Sequence, residues 1–268
     1  VKLNQNNIKP EDKQLALNVR NYLVAGNRVI GDPGEGLRQT LMKLEYERDN
    51  KNYGITDWKM KDAELNQQIS LTKAGIEGEI QLCDYLSTLI KYDDKLNGLV
   101  AFASLSYDFG DGVNKDYIPD TDTLLVYGRH ALVIDAKNLK TKPNQCLMIV
   151  EGGFVIDADK EKELISVNPS THIWRKVMED ANIQLDSIDG YVCIVNDTEI
   201  EIIRNEYWYE CNTKLIHISE LKDILEDWVQ GKDNTLYLDM LTEISKAQIK
   251  KEKNISFDID AIKRKFNV

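Results

Sequence analysis

The stretch HALVIDAKN (His130 to Asn138) decides how this chain is read. As a strand it sends Ala131, Val133, Asp135 and Lys137 to one face and Leu132, Ile134 and Ala136 to the other. Both faces stay apolar until the C-terminal end, which predicts a central strand covered on both sides. An aspartate and a lysine therefore emerge side by side where a buried strand stops. Burying either charge alone is costly, so each needs a partner or an ion.

Working outward, Asp122 opens the preceding strand DTLLVYG (Asp122 to Gly128) and shares a face with Leu124 and Val126. The connection YGRH is short and contains Gly128. An antiparallel hairpin would bring the start of one strand beside the end of the other, and Asp122 beside Asp135. Two carboxylates that close repel each other unless a divalent cation lies between them. Oxygen-only ligands select Mg²⁺ or Mn²⁺ over zinc. Asp120 competes for the role, but its register puts it one pair further from the buried run. Upstream, AGIEGEIQLCDYLSTLI (Ala74 to Ile90) reads as an amphipathic helix with Glu79 on the face of Leu82, Cys83 and Leu86. A carboxylate on an apolar face needs a polar site to reach into. Gly75 and Gly78, on the turn before, each cost about 1 kcal/mol of helix stability relative to alanine, which close approach of another backbone would explain.

The rest of the chain sets the frame. Residues 1–70 read as a helical N-terminal region without strands: EDKQLALNVRNYLVAGNRVI, then LRQTLMKLEYERDN after the turn GDPGEG, then DAELNQQISLTKAG. Residues 71–230 hold the strand series LVAFASLSYDF, DTLLVYG, HALVIDAK, CLMIVEG, GFVID, YVCIVN and EIEII. Gly152-Gly153 marks a hairpin. A helix follows Asn168-Pro169, with Asn168 or Ser170 as cap, and SELKDILEDWVQG is a helix with Ser219 as N-cap. Residues 231–268 read as a lysine-rich helical tail. The class is α/β, mixed α+β, with a central mixed sheet flanked by helices and an N-terminal helical appendage.

Composition narrows the function classes. Net charge is −11 over 268 residues, which argues against broad, unspecific attraction to nucleic acid. Local charge differs: Ala136 to Gln145 carries Lys137, Lys140 and Lys142 and no acid. The four cysteines, Cys83, Cys146, Cys193 and Cys211, form no CxxC pair, so a structural zinc site is not expected and buried reduced thiols of a cytoplasmic protein are. No apolar run approaches the roughly 20 residues that span a bilayer. The start VKLNQNNIKPEDK is polar, without a signal-peptide pattern, and begins with Val, as a trimmed chain would.

Together, GIEGE (Gly75 to Glu79), DTLLV (Asp122 to Val126), LVIDAKN (Leu132 to Asn138) and Asn168-Pro169 opening a helix resemble the nuclease-related domain, a branch of the PD-(D/E)xK nuclease superfamily. The resemblance covers roughly Leu71 to Val229. The family usually has glutamine where this chain has His172 and glutamate where it has Asp135; the second change lies within the superfamily's D/E alternation. The resemblance implies phosphodiester hydrolysis by a Mg²⁺-dependent endonuclease, with DNA favoured over RNA. Asp122, Asp135 and the Ala136 carbonyl would ligate the metal, Glu79 would help hold it or its water, and Lys137 would orient or deprotonate the attacking water. Lys140, Lys142, Arg175 and Lys176 are candidates for nucleic-acid contact, the N-terminal helices for a protein partner, and the chain for a homodimer.

Each feature also has a plainer reading. Asp135 and Lys137 can be a strand-end ion pair, Asp122 a turn residue, and Arg175 and Lys176 a solvated helix face. GDPGEG lacks the ending of a phosphate loop and reads as a loop with a helix start. His130 and His217 read as structural histidines, and EYWYE (Glu206 to Glu210) as core or partner surface rather than a base-stacking platform. The competing function is a catalytically inactive module of the same fold that binds nucleic acid or protein. A third is an unrelated α/β binding domain, which predicts that Glu79, Asp122 and Asp135 do not converge.

Overall fold

The computed structural model describes residues 2–50, 58–106, 120–166, 171–196 and 198–248. The chain starts with β1 (Leu3–Asn4), a 3-10 turn and α1 (Lys13–Val24), then β2 (Val29–Ile30), α2 (Glu35–Asp49) and the long α3 (Trp58–Tyr92). β3 (Val100–Ser106), β4 (Asp120–Tyr127), β5 (His130–Lys137), β6 (Gln145–Val150), β7 (Phe154–Asp157) and β8 (Lys162–Ser166) precede α4 (Thr171–Asp180). Next come β9 (Ser187–Ile194), β10 (Ile200–Ile203), α5 (Glu206–Glu210), β11 (Thr213–His217), α6 (Leu221–Val229), β12 (Leu236–Tyr237) and α7 (Leu238–Lys246).

Six strands form a mixed sheet in the order β11-β9-β5-β4-β3-β2. β5 lies inside it, antiparallel to β4 and parallel to β9. Its two apolar faces find the two covers they need. Ala131 and Val133 pack with side chains of α1, α4 and α7, and Leu132, Ile134 and Ala136 with side chains of α3 and α6. Leu132 and Ile134 are wholly buried, and burial of such a side chain contributes about 1.5–3 kcal/mol. The protein is thus mixed α/β, a multi-strand mixed sheet flanked by helices.

A second sheet, β10-β6-β7-β8, turns back at the Gly152-Gly153 hairpin, where Val150 faces Phe154. It packs Leu147, Ile149 and Val155 against Val192, Ile194 and Leu215 of β9 and β11. β8 (KELIS) and β11 (TKLIH) are strands beyond the expected series; each is short and starts with a charged or polar pair that hides the alternation.

Residues 1–70 differ from a strand-free helical appendage. β2 runs parallel to β3 at the edge of the main sheet, and β1 pairs with β12. Ala16, Val19 and Leu23 of α1 belong to the same core as Val133 and Leu124. Strands of two residues are too short to print a period on the sequence. The two helices expected in DAELNQQISLTKAG and AGIEGEIQLCDYLSTLI are one helix of 35 residues, about 50 Å long. The division near residue 70 therefore falls inside a continuous helix. Two glycines do not break it, because packing outweighs their propensity cost.

Other expectations shift in detail. Ser219 does not cap α6. Glu220 accepts from the His217 N–H at 3.0 Å, and the His217 ring accepts from the Ser219 N–H, so the histidine is structural. In the tail, Leu238–Lys246 is helical and β12 precedes it, while residues 249–268 lie outside the described residues, as do Asn168, Pro169, Ser170 and the end of SYDF. No described helix is long and apolar enough to cross a membrane.

The β4–β5 turn holds the register that matters for the site. Gly128 sits at φ +61°, and a Cβ there would lie 2.3 Å from the Asp233 carbonyl oxygen. Gly128→Ala should cost about 2 kcal/mol or more, lowering the thermal midpoint by about 5 °C. An unchanged midpoint in differential scanning calorimetry would show that the turn tolerates a side chain.

Candidate active site

The β4–β5 ladder runs from Tyr127 opposite His130 to Thr123 opposite Ile134. One residue further, the ladder gives way to side chains. Asp122 Oδ2 accepts a hydrogen bond from the Ala136 N–H at 2.8 Å. Asp122 stands close enough to Asp135 for the Asp135 charge to oppose its ionisation. Lys137 Nζ lies 2.6 Å from Asp135 Oδ1. The hairpin thus brings Asp122, Asp135 and Lys137 together.

Glu79 arrives from α3 and is 5% exposed. Its Oε2 accepts from the Gly34 N–H at 2.9 Å and from the Ser104 hydroxyl at 3.3 Å. Its charge is felt by Asp122 and by Lys137. α3 reaches this position because Gly78 lets it close on the end of β5: a Cβ there would lie 3.0 Å from both the Asn138 Cβ and the Val195 Cγ2. Gly75 makes room for a side chain instead, that of Leu37. Asn138 Nδ2 donates to the Ala74 carbonyl at 3.0 Å, tying the end of β5 to the same helix.

Electrostatics follow from this crowding. Burial, then repulsion from Asp135 and Glu79, holds the Asp122 carboxyl well above the usual range. Burial also raises Glu79, against the Gly34 and Ser104 hydrogen bonds. Burial opposes charge on Lys137, but the carboxylates of Asp135 and Asp122 outweigh it and hold its pKa above the ordinary lysine value. Lys137 is therefore an ammonium in this arrangement. Beneath the site, Cys83 Sγ is 3.6 Å from Thr123 Oγ1, and burial pushes that thiol up to about 12. Cys83 and Cys193 are buried free thiols; Cys146 and Cys211, expected buried, are partly exposed.

The acids suit a hard cation in donor chemistry. Asp122 and Asp135 offer only oxygen, and Mg²⁺ is commonly held by one or two carboxylates with its remaining positions on water and phosphate. Among the described residues no three His, Cys, Asp or Glu side chains are gathered as a metal cage, so Glu79 does not complete one with the pair. The remaining candidates stand on the loop after β5 and on α4. Lys140 and Lys142 are exposed on the loop leaving β5, which Asn196 Nδ2 pins through Leu139 O at 2.8 Å and Thr141 Oγ1 at 3.0 Å. Arg175 and Lys176 are exposed on α4, and Lys176 pairs with Asp180 at 3.1 Å. Trp208 of EYWYE packs at the edge of the second core, with its indole N–H on the Leu215 carbonyl.

Ser104 and Gly34 carried no sequence signal for this site. Ser104 stands opposite Asp122, between the Ala103–Thr123 and Leu105–Thr121 pairs, and is absent from the ladder. It holds φ +51°, a strained value for a serine, and is buried. The one hint was a carboxylate at position 79 on an apolar helix face. Comparison with protein-family models, with curated proteins and with solved structures finds no match to this chain.

A carboxyl raised above its ordinary value of 3.8 favours folding most when protonated; that contribution is lost as pH climbs through the raised value. Asp122→Asn keeps an acceptor for the Ala136 N–H and removes the charge. In chelator at pH 8 it should raise the thermal midpoint by about 2–4 °C, with the gap closing toward pH 4. A variant less stable than wild type at pH 8 would show that the charge is compensated.

Proposed function

We propose that this chain is a divalent-metal-dependent nuclease that hydrolyses phosphodiester bonds, an endonuclease acting on DNA, with a PD-(D/E)xK core of the nuclease-related branch. The observation that carries the reading is the convergence of three charged side chains at the open end of a buried hairpin: Asp122 on the Ala136 N–H at 2.8 Å, Asp135 beside it, and Lys137 2.6 Å from Asp135.

In this reading Asp122 and Asp135 hold Mg²⁺ or Mn²⁺, which when bound lowers the pKa of water and offsets phosphate charge. Lys137, held as an ammonium, donates to a phosphate oxygen and stabilises the charge that develops there, rather than taking a proton from water. Asp135 aims that ammonium, and Asp122, through the Ala136 N–H, fixes the strand end on which both stand. Lys140 and Lys142, on the pinned loop beyond β5, supply positive charge for the backbone of the nucleic acid. One observation favours the alternative of a catalytically inactive binding module: the Lys137–Asp135 ion pair already neutralises one of the two acids, in a chain of net charge −11.

The test is cleavage of supercoiled plasmid and labelled single strands with Mg²⁺ or Mn²⁺. Wild type should cut and chelator should stop it; Lys137→Ala and Asp135→Asn should each lose about 100-fold or more in rate. A purified wild type that cuts neither substrate with either metal, or a Lys137→Ala protein that cuts as well as wild type, rejects the enzyme reading for those substrates.

A further inference from the structure

We propose that Glu79 is a positioning residue rather than a metal ligand: its buried carboxylate clasps the N-terminal segment of the chain onto the candidate active site. The metal half of this statement rests on the nuclease reading above; the clasp does not.

The geometry begins at α2. Its N-cap is Gly34, which has no side chain to satisfy the helix's first amides. Two other elements reach those amides, and the Glu35 N–H is shared with the Asp32 carbonyl at 3.1 Å. Glu79 Oε2 on α3 accepts from the Gly34 N–H at 2.9 Å, and the Ser104 hydroxyl on β3 accepts from the Glu35 N–H at 3.1 Å. The same hydroxyl donates to Glu79 Oε2 at 3.3 Å, which closes the set. A carboxylate here also complements the positive end of the α2 dipole. Glu79, Ser104 and Glu35 are all buried, so no solvent competes for these bonds. The rest of the first turn is tied locally: Arg38 bonds Asp32 at 3.0 Å and Glu35 at 3.3 Å.

The arrangement explains three facts at once. It gives a buried acid its partners, as burial of a carboxylate requires. It gives Ser104 a reason to keep φ +51°, because the hydroxyl bridges two elements there. It also accounts for the absence of a three-acid cluster among the described residues, since Glu79 is turned to the α2 amides. The N-terminal segment is thereby part of the architecture of the site, and Glu79 contributes to the Asp122–Asp135 pair through its charge and through the fold.

The amide oxygen introduced by Glu79→Gln could accept both hydrogen bonds without charge, whereas Glu79→Ala leaves no acceptor at all. The experiment uses the full chain, with Glu79→Gln, Glu79→Ala, Ser104→Ala and, as metal-site control, Asp135→Asn. Amide hydrogen exchange over residues 34–38 is measured in chelator, and Mn²⁺ affinity by calorimetric titration. Glu79→Ala should speed exchange there by about tenfold or more, Ser104→Ala, the milder change, by a smaller factor, and Glu79→Gln should restore protection to within about threefold of wild type. Glu79→Gln should leave Mn²⁺ affinity within about threefold, while Asp135→Asn lowers it at least about tenfold. Unchanged exchange in both Glu79→Ala and Ser104→Ala overturns the clasp. A Glu79→Gln protein that loses Mn²⁺ as Asp135→Asn does returns Glu79 to the ligand set and overturns the proposal. If wild type neither binds Mn²⁺ nor cuts, the nuclease reading fails and the exchange result alone decides the clasp.

Discussion

Two carboxylates, Asp122 and Asp135, are pressed together by a hairpin that has no other register open to it. The register is set by burial. Leu124 and Val126 must face the same core as Ala131 and Val133, and Leu125 the same core as Leu132 and Ile134. A slip of one residue would reverse every one of these faces. The acids at the hairpin's open end therefore meet whether or not their meeting is favourable. Left alone they repel, and only three arrangements relieve them: a shared proton, an ammonium, or a cation. The ammonium is present, as the Lys137–Asp135 ion pair, and burial beside Asp135 and Glu79 raises the Asp122 carboxyl toward its protonated form. Like charges crowded at a strand end cost stability, and under the proposed nuclease reading a bound cation offsets that cost.

Much of this was legible in the sequence for one reason: Asp122, Asp135 and Lys137 sit on two adjacent strands whose apolar runs state their register. The Gly152-Gly153 hairpin, β9 and α4 were legible for the same local reasons, period and turn chemistry. What the sequence hid is tertiary. Nothing in LVAFASLSYDF marks Ser104 as the residue that leaves the ladder and bridges α2 to α3. Nothing in GDPGEG shows that Gly34 will present its amide to an acid 45 residues away. The two residues of β2 carry no period, yet they extend the main sheet and bind the N-terminal region to it.

That integration changes how residues 1–70 are to be understood. α1 shares a core with α4 and α7, β2 edges the main sheet, and α3 spans the expected boundary. The candidate site is accordingly built from both sides: β4 and β5 supply the charged groups, and α2, α3 and Ser104 hold Glu79 behind them. The chain's overall acidity and the local positive charge of the loop after β5 are compatible on this plan, because contact with a phosphate backbone depends on the charge near the site and much less on the sum.

The central claim is that Asp122 and Asp135 are a cation site. The direct measurement is anomalous scattering from crystals of the protein soaked in millimolar Mn²⁺, in parallel with crystals of Asp135→Asn. The account predicts one Mn²⁺ peak between the two aspartates in the wild type and none in the variant. A wild type without a peak at the pair, or a peak that persists undiminished in Asp135→Asn, would contradict it.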